Sequence, residues 1–471
     1  MAQVERIDSV KSDPGFVKTD GGILIEVTDV TAHHLKLAKN GHTVLLPQPS
    51  EDPEDPLNWT STKKHLILFT LAGVGALLWV PLSTWWGRAP VIFWTAWIAL
   101  FLNLGVALSH DFSTFYVTRV LSGLKSNAPP TISIALIQDM FFFHERARKI
   151  GLWTALFVAS PYCGPLIANF MLAGTNSWSA VLWLGFAAHA LYFAILLCFL
   201  DETYYNRDFH QGDQPSRPRG VVGRMSRILG WWQIQNHKAY FLTFRHSIVR
   251  FVQALLKPVL LLLFLNYLIC FAWAIGINIS TAILFATPVE FGGYGYDYRQ
   301  LGFLYFTPVV GVLLGEVFGH FTNDWLAKRY IKRHDGFFAP EVRLFGAELA
   351  ACLMIVGLTM LGQALHYHLH VAVVVIGWGM HVVGIMILSV STFAYAVDSY
   401  PNVPSETAGW ISFLRVVGGF SVGYFQEPWG AAVGFHNSFG TQAGTVSFGL
   451  ILIVVIHIFG NRLRVKSGDL K

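Results

Sequence analysis

Eleven apolar stretches, each about long enough to cross a bilayer, follow one another between residues 66 and 460, and a basic, polar insert at 201–257 divides them. A spanning helix needs about 20 mostly apolar residues, because lipid offers no partner to a backbone amide left unpaired by the helix itself. Stretches such as 258–287 and 371–397 meet that length easily. Hydrophobic residues form 54% of the chain and charged ones 13%, too little polar material to clothe several water-soluble cores. The pattern predicts an all-α polytopic membrane protein.

The net charge of +5 matters less than its placement, because basic loops orient membrane proteins. Arg88, the run from His144 to Lys149, the insert, the run from Lys328 to Arg333, and Arg462, Arg464 and Lys466 alternate with links at 109–113, 174–179 and 366–370 that carry no Lys or Arg. The basic set is expected on the cytoplasmic side. The link 398–405 falls on that side by alternation although it holds no Lys or Arg. Cys163, Cys198, Cys270 and Cys352 all lie in apolar segments, which argues for small packing residues and against a disulfide framework. Residues 1–62 are polar, without a helical apolar period or a leader pattern, and read as a disordered cytoplasmic tail.

Expected spans are 66–86, 91–108, 115–137, 151–172, 179–200, 258–287, 301–321, 344–365, 371–397, 407–426 and 445–460. This divides the chain into a tail at 1–62, a helical bundle at 63–200, a basic cytoplasmic loop at 201–257, a six-helix bundle at 258–461 and a tail at 462–471. Five spans precede the insert and six follow it. Repeated halves are common in transporters, and a shared landmark shows the imbalance. The basic turn Asn323 to Arg329 follows the second span of its half, whereas Trp86-Gly87-Arg88 follows the first detectable span of the other. Charge repeats the conflict: Lys63 and Lys64 stand before that span and Arg88 after it, so a single crossing puts them on opposite faces. The first half reads as one helix short.

The turns also carry a resemblance that covers nearly all the chain from Asp55 onward. Leu82, Gly87 and Arg88 sit where a glycine-rich loop signature is expected, with Thr84 at its acidic position; Arg119 and Gly123 match the arginine and glycine of a fourth span. Gly164 and Pro165 match the antiporter signature of a fifth, and Asp324 and Arg329 match the loop signature of the second half. The phrases around Asp139 to Arg146 and Asp201 to Tyr204 fit the same pattern. The chain resembles a fungal member of the major facilitator superfamily, in its twelve-span drug:proton antiporter-like branch. The resemblance implies two helical bundles, here with about 11 spans, five and six. It also implies that Arg119 takes part in proton coupling, and it places a join near 70–76 where a first span and the loop after it have been lost.

An ionisable group inside a span costs at least ~2.5 kcal/mol on insertion scales and is a functional candidate by default. Arg119 either couples protons or snorkels to the outer interface. Glu316, one turn from His320, either exchanges a proton or pairs with Lys328 or Arg329. His381, mid-span, is a proton carrier or is hydrogen-bonded to a neighbouring helix. Glu348 is expected to pair with Arg343. Arg415 either faces the cavity or, the favoured reading, pairs with Asp398. Asn169, Asn266, Asn278 and Gln253 offer hydrogen bonds to a substrate or join helices. Glu290 and Asp297, beside an aromatic outer loop, are candidates to attract a cationic substrate or belong to a solvated loop. His366, His368 and His370 read as a solvated loop, with weak metal binding as the alternative, and Asn58-Trp59-Thr60 is a formal glycosylation acceptor on a tail expected inside.

No phosphate-cradling Gly-x-x-x-x-Gly-Lys-Ser/Thr run is present in the sequence, which excludes ATP-driven pumping by this chain itself. No catalytic pair has a meaningful spacing, so no enzyme, metal or cofactor is expected. The function predicted is secondary active transport of a small organic molecule, as proton-coupled efflux from the plasma membrane. Proton-coupled uptake of an organic cation such as a polyamine, or a truncated, non-transporting chain, is the alternative. Expected partners are the lipid bilayer, a small-molecule substrate and protons, with no nucleic acid, and the protein is expected to be a monomer.

Overall fold

The computed structural model describes residues 18–19, 22–24, 79–126, 128–206, 213–287, 293–335 and 337–468. Before the insert run α1 (Trp79–Trp86), α2 (Arg88–Leu108), α3 (Phe112–Ser126), α4 (Ala128–Met140), α5 (Phe143–Thr175) and α6 (Trp178–Phe199). The insert folds into α7 (Gly220–Leu229), α8 (Trp231–Gln235), α9 (His237–Tyr240) and α10 (Phe244–Leu256). After it come α11 (Pro258–Ala286), α12 (Tyr298–Leu304), α13 (Phe306–Arg333), α14 (Leu344–His366), α15 (Val371–Ser399), α16 (Pro404–Val433) and α17 (Phe435–Ser467).

Among the described residues eight helical stretches are long and apolar enough to span a membrane: 88–108, 148–175, 178–199, 258–286, 298–333, 340–366, 371–399 and 435–467. The other three expected spans fall short for separate reasons. The first is described only from Trp79, and 115–137 is described on either side of residue 127, as α3 and α4. In α16 the polar side chains of Glu406, Arg415, Gln426 and Glu427 dilute the hydropathy.

After the insert the helices pack tightly on one another: α14 lies against α15 and α17, and α11 against α16 and α17. Glycines permit the closest crossing, since a Cβ on Gly357 would stand 2.7 Å from the Gly377 carbonyl oxygen and one on Gly384 would stand 2.7 Å from that of Ala350. Small residues of this kind let membrane helices touch backbone to backbone. Helices before the insert are less enclosed. Only 6% of the apolar stretch of α6 is buried, against 61% in α11 and 56% in α15.

The basic loops gather at one end of the bundle. There Lys257 Nζ donates to the Ser467 carbonyl at 2.6 Å, Arg464 meets Glu341 at 2.7 Å, and Arg343 pairs with Asp398. Part of the positive charge of the insert serves as helix capping. Arg224 donates to the carbonyls of Leu197 (2.7 Å) and Leu200 (2.9 Å), which closes the C-terminus of α6. Arg227 grips Asp201 through two contacts of 3.0 and 3.1 Å. At the same end two tail segments are extended, β1 (Lys18–Thr19) and β2 (Gly22–Leu24), and β2 pairs antiparallel with β3 (Phe337–Phe338). These short pieces depart from a featureless tail; the rest of 1–62, Lys63, Lys64 and Asn58 lie outside the described residues.

All four cysteines are unpaired. At the opposite end His370 Nδ1 accepts from the Ala372 amide and caps α15, while the His366 ring lies tilted 4.0 Å from that of His436. The three loop histidines are thus spread over separate contacts, and no metal-ligand cluster occurs among the described residues.

Candidate functional site

Contact between the two sides of the insert follows α5. Its positions Trp153, Phe157 and Pro161 recur every fourth residue and so share a face; Gly151 and Phe170 extend the contact toward the two ends. Trp153 meets Phe393 edge-on at 5.2 Å. Tyr162 packs edge-on against Trp378 at 6.3 Å, and Phe170 against Phe303 at 5.2 Å. Toward the basic end Gln138 donates to the Pro401 carbonyl, Arg250 donates to that of Asn402 at 2.5 Å, and Arg250 lies 3.6 Å from Glu406.

Glu316 of α13 faces α5 along this line. A Cβ on Gly151 would come within 2.8 Å of Glu316 Oε1, so the glycine makes room for the carboxylate. Its other oxygen, Oε2, is buried and accepts no hydrogen bond. A cleft lined by Arg148, Gly151, Glu316, His320, Asn323 and Asp324 surrounds it. The expected alternative, a pair with Lys328 or Arg329, does not form: Arg329 stacks 5.0 Å over the Trp325 ring. His320 Nε2 lies 3.8 Å from Asp324, one turn further on.

Pro165 cannot donate to the carbonyl of Pro161, and that orphaned acceptor is filled from the other half. Asn278 Nδ2 on α11 donates to it at 3.0 Å, and the Asn278 carbonyl accepts from the Tyr305 hydroxyl at 3.0 Å. Asn278 is therefore a helix-joining amide. Asn169 Nδ2 turns back to the Pro165 carbonyl of its own helix at 2.8 Å, and Asn266 joins α11 to the Gly449 carbonyl at 2.8 Å. Gln253 is exposed on α10.

The glycine-rich turn at the start of α2 is held by carboxylates supplied from elsewhere. Gly87 has φ 98°, and a Cβ there would lie 2.5 Å from Glu202. The Glu202 carboxylate accepts from the amides of Arg88 and Ala89, each at 3.2 Å, and from Gln233 Nε2 at 2.8 Å. A negative group at a helix N-terminus meets unpaired amides and the positive end of the dipole. Arg88 itself pairs with Asp139 and donates to the Ala135 carbonyl at 2.8 Å. Thr84, at the expected acidic position, bonds only back to the Val80 carbonyl at 3.0 Å.

Several expected pairings are corrected. Glu348 meets His457 Nδ1 at 2.6 Å, and Arg343 takes Asp398 instead. The reason is neighbourhood: α14 lies against α17, while the turn at Arg343 lies against α15. With Asp398 occupied, Arg415 is left at the centre of the bundle, its guanidinium 3.6 Å over Phe157 and 5.0 Å from Phe271. His381 is fully buried where α15 crosses α14 at Gly357, and neither ring nitrogen is hydrogen-bonded. Arg119 lies on an exposed part of α3, and no ion pair engages it among the described residues; Gly123 and Gly164 likewise face open space. Asp297 caps α12, its carboxylate accepting from the Gln300 amide at 2.7 Å. Glu290 lies outside the described residues. Sequence reasoning missed Glu406, Arg250 and Gln138, isolated polar residues whose meeting depends wholly on packing.

The comparisons with known proteins agree with this architecture. The sequence is 25% identical to the cycloheximide resistance protein of Candida maltosa over 87% of this chain and 75% of that one. It is 26% identical to the efflux pump FUB11 of Gibberella fujikuroi, covering 83% and 67%. Among solved structures it is similar to the human organic anion transporter MFSD10 (TM-score 0.54, 16% identity, 83% and 82% covered). It is also similar to the proton:xylose symporter XylE (TM-score 0.53, 13% identity, 86% and 88% covered). The sequence model of the Major Facilitator Superfamily matches residues 50–423, and the chain belongs to that family.

Proposed function

We propose that this protein exports a small organic molecule in exchange for protons, by alternating access of a monomer in the plasma membrane. The observation that carries the coupling is Glu316: a carboxylate on the contact line between the two sides of the insert, with one buried oxygen unpaired and a cleft beside it. A carboxylate so placed can be charged while the cleft is wet and neutral while it is closed, which ties proton occupancy to the separation of the two sides. Arg119 and His381 are less suited to this role. One lies on an exposed face and the other inside the packing of α14 and α15. The relatives named for cycloheximide resistance and for efflux support a xenobiotic or secondary metabolite as cargo.

The direction of coupling is testable in proteoliposomes carrying a lumenal pH probe and no imposed gradient. Substrate added outside makes an antiporter draw protons out and turn the lumen alkaline, whereas the uptake reading, for a polyamine-like cation, requires acidification. Cycloheximide is the first compound to try.

A second reading is favoured by the sparse burial of α6 and the exposed face of α3: a chain that no longer transports. Monodisperse reconstituted protein that moves neither substrate nor protons for a panel of anionic, neutral and cationic compounds selects that reading.

A further inference from the structure

We infer that the central site takes an anionic substrate, an apolar or aromatic organic acid whose carboxylate binds Arg415; this deepens the transport reading above and rests on it. Arg415 stands about 16 Å along α16 from its start at Pro404, near mid-membrane. It is 6% exposed, and both Nε and Nη1 are buried without a hydrogen-bond acceptor. No carboxylate pairs with it among the described residues: Arg343 holds Asp398 and Arg250 holds Glu406. A guanidinium kept in the bilayer without a counter-charge is costly, and a side chain retained at that cost marks a place where an anion arrives.

The surroundings suit such a ligand. The guanidinium lies between Phe157, on the near side of the insert, and Phe271, on the far side. Separation of the two sides uncovers the face that Phe157 now covers. Once uncovered, the planar fork offers two parallel donors to a carboxylate, and the two rings offer apolar walls to its body. Tyr162 and Tyr267 lie within electrostatic reach of Arg415, and the Tyr267 hydroxyl is shared with Ser389 at 3.1 Å. A cationic substrate would meet the same buried positive charge and be repelled, which sets this site against the polyamine alternative.

The test is equilibrium binding to full-length protein in detergent at neutral pH, read by tryptophan fluorescence, with three probes of one shape: 2-naphthoate, 2-naphthamide and 2-naphthylmethylammonium. The expected order is anion first and cation last. Arg415→Gln is expected to weaken naphthoate binding about ten-fold or more while changing naphthamide binding less than about three-fold. Arg415→Lys, which keeps the charge and loses the fork, should fall between. Equal or tighter binding of the amide or the ammonium by the unaltered protein overturns the inference, and so does an Arg415→Gln protein that binds naphthoate as before. Because the unaltered protein alone settles the ligand order, a misfolded variant does not leave the idea untested. Binding requires no flux, so anion-selective binding without transport overturns the transport reading alone, and transport without anion preference overturns this inference alone.

Discussion

At the scale of single residues, the interface between the two sides of the insert is built from groups whose partners come from distant parts of the chain. Glu316→Gln is expected to abolish substrate-driven lumenal alkalinisation, with substrate binding retained, as measured in the proteoliposome assay. Unchanged proton movement would assign the coupling elsewhere. Gly151→Val places a branched side chain where the carboxylate now sits. It should slow transport while leaving the helical circular dichroism of the purified protein unchanged. Glu202→Ala removes the acceptor of three amides, those of Arg88, Ala89 and Tyr204, and of Gln233. The expected cost is about 1–2 kcal/mol, as for lost helix caps, visible as a lower midpoint of thermal unfolding in detergent.

At the scale of elements, much was legible from hydropathy alone, because lipid forces long apolar helices. The eight long apolar stretches fall on expected spans, six of them to within a few residues, whereas 298–333 and 435–467 run well past the expected 301–321 and 445–460. At one end Lys257 donates to the last carbonyl of α17, while Arg343 and Arg464 pair with Asp398 and Glu341. What the sequence left open was which helices are neighbours. Glu348 and Arg343 are close in sequence and share a helical region, yet they bond to α17 and α15. The missing amide hydrogen of Pro165 was readable, but not that Asn278, 117 residues from Pro161, would fill the gap. The favoured pairing of Arg415 with Asp398 fails and the cavity-facing alternative stands, because packing gives Asp398 to Arg343. Crowding at the α14–α15 crossing yields its own prediction. Gly384→Val forces atoms into the Ala350 carbonyl and Met354, at an expected cost of about 1–3 kcal/mol, measurable as a reduced thermal midpoint.

At the scale of the whole molecule, three side chains fasten the two sides of the basic end among the described residues. Gln138, Arg250 and Glu406 tie α4 and the insert to the start of α16. A double variant, Gln138→Cys with Pro401→Cys in a background stripped of native cysteines, should form a cross-link on oxidation and halt transport. Reduction should restore it, and full transport in the oxidised protein would show that this end need not open.

One helix, α5, touches α11, α12, α13, α15 and α16 along most of its length, through Gly151, Trp153, Phe157, Pro161, Tyr162 and Phe170. In a rocking motion that helix is the fulcrum: contacts near its tips must break in turn while those at its middle roll without parting. Its two internal prolines supply compliance at the point where bending is needed, and the Asn278 bridge ties any flexure there to α11. Stiffening that one rod would seize the machine even with every charged group intact.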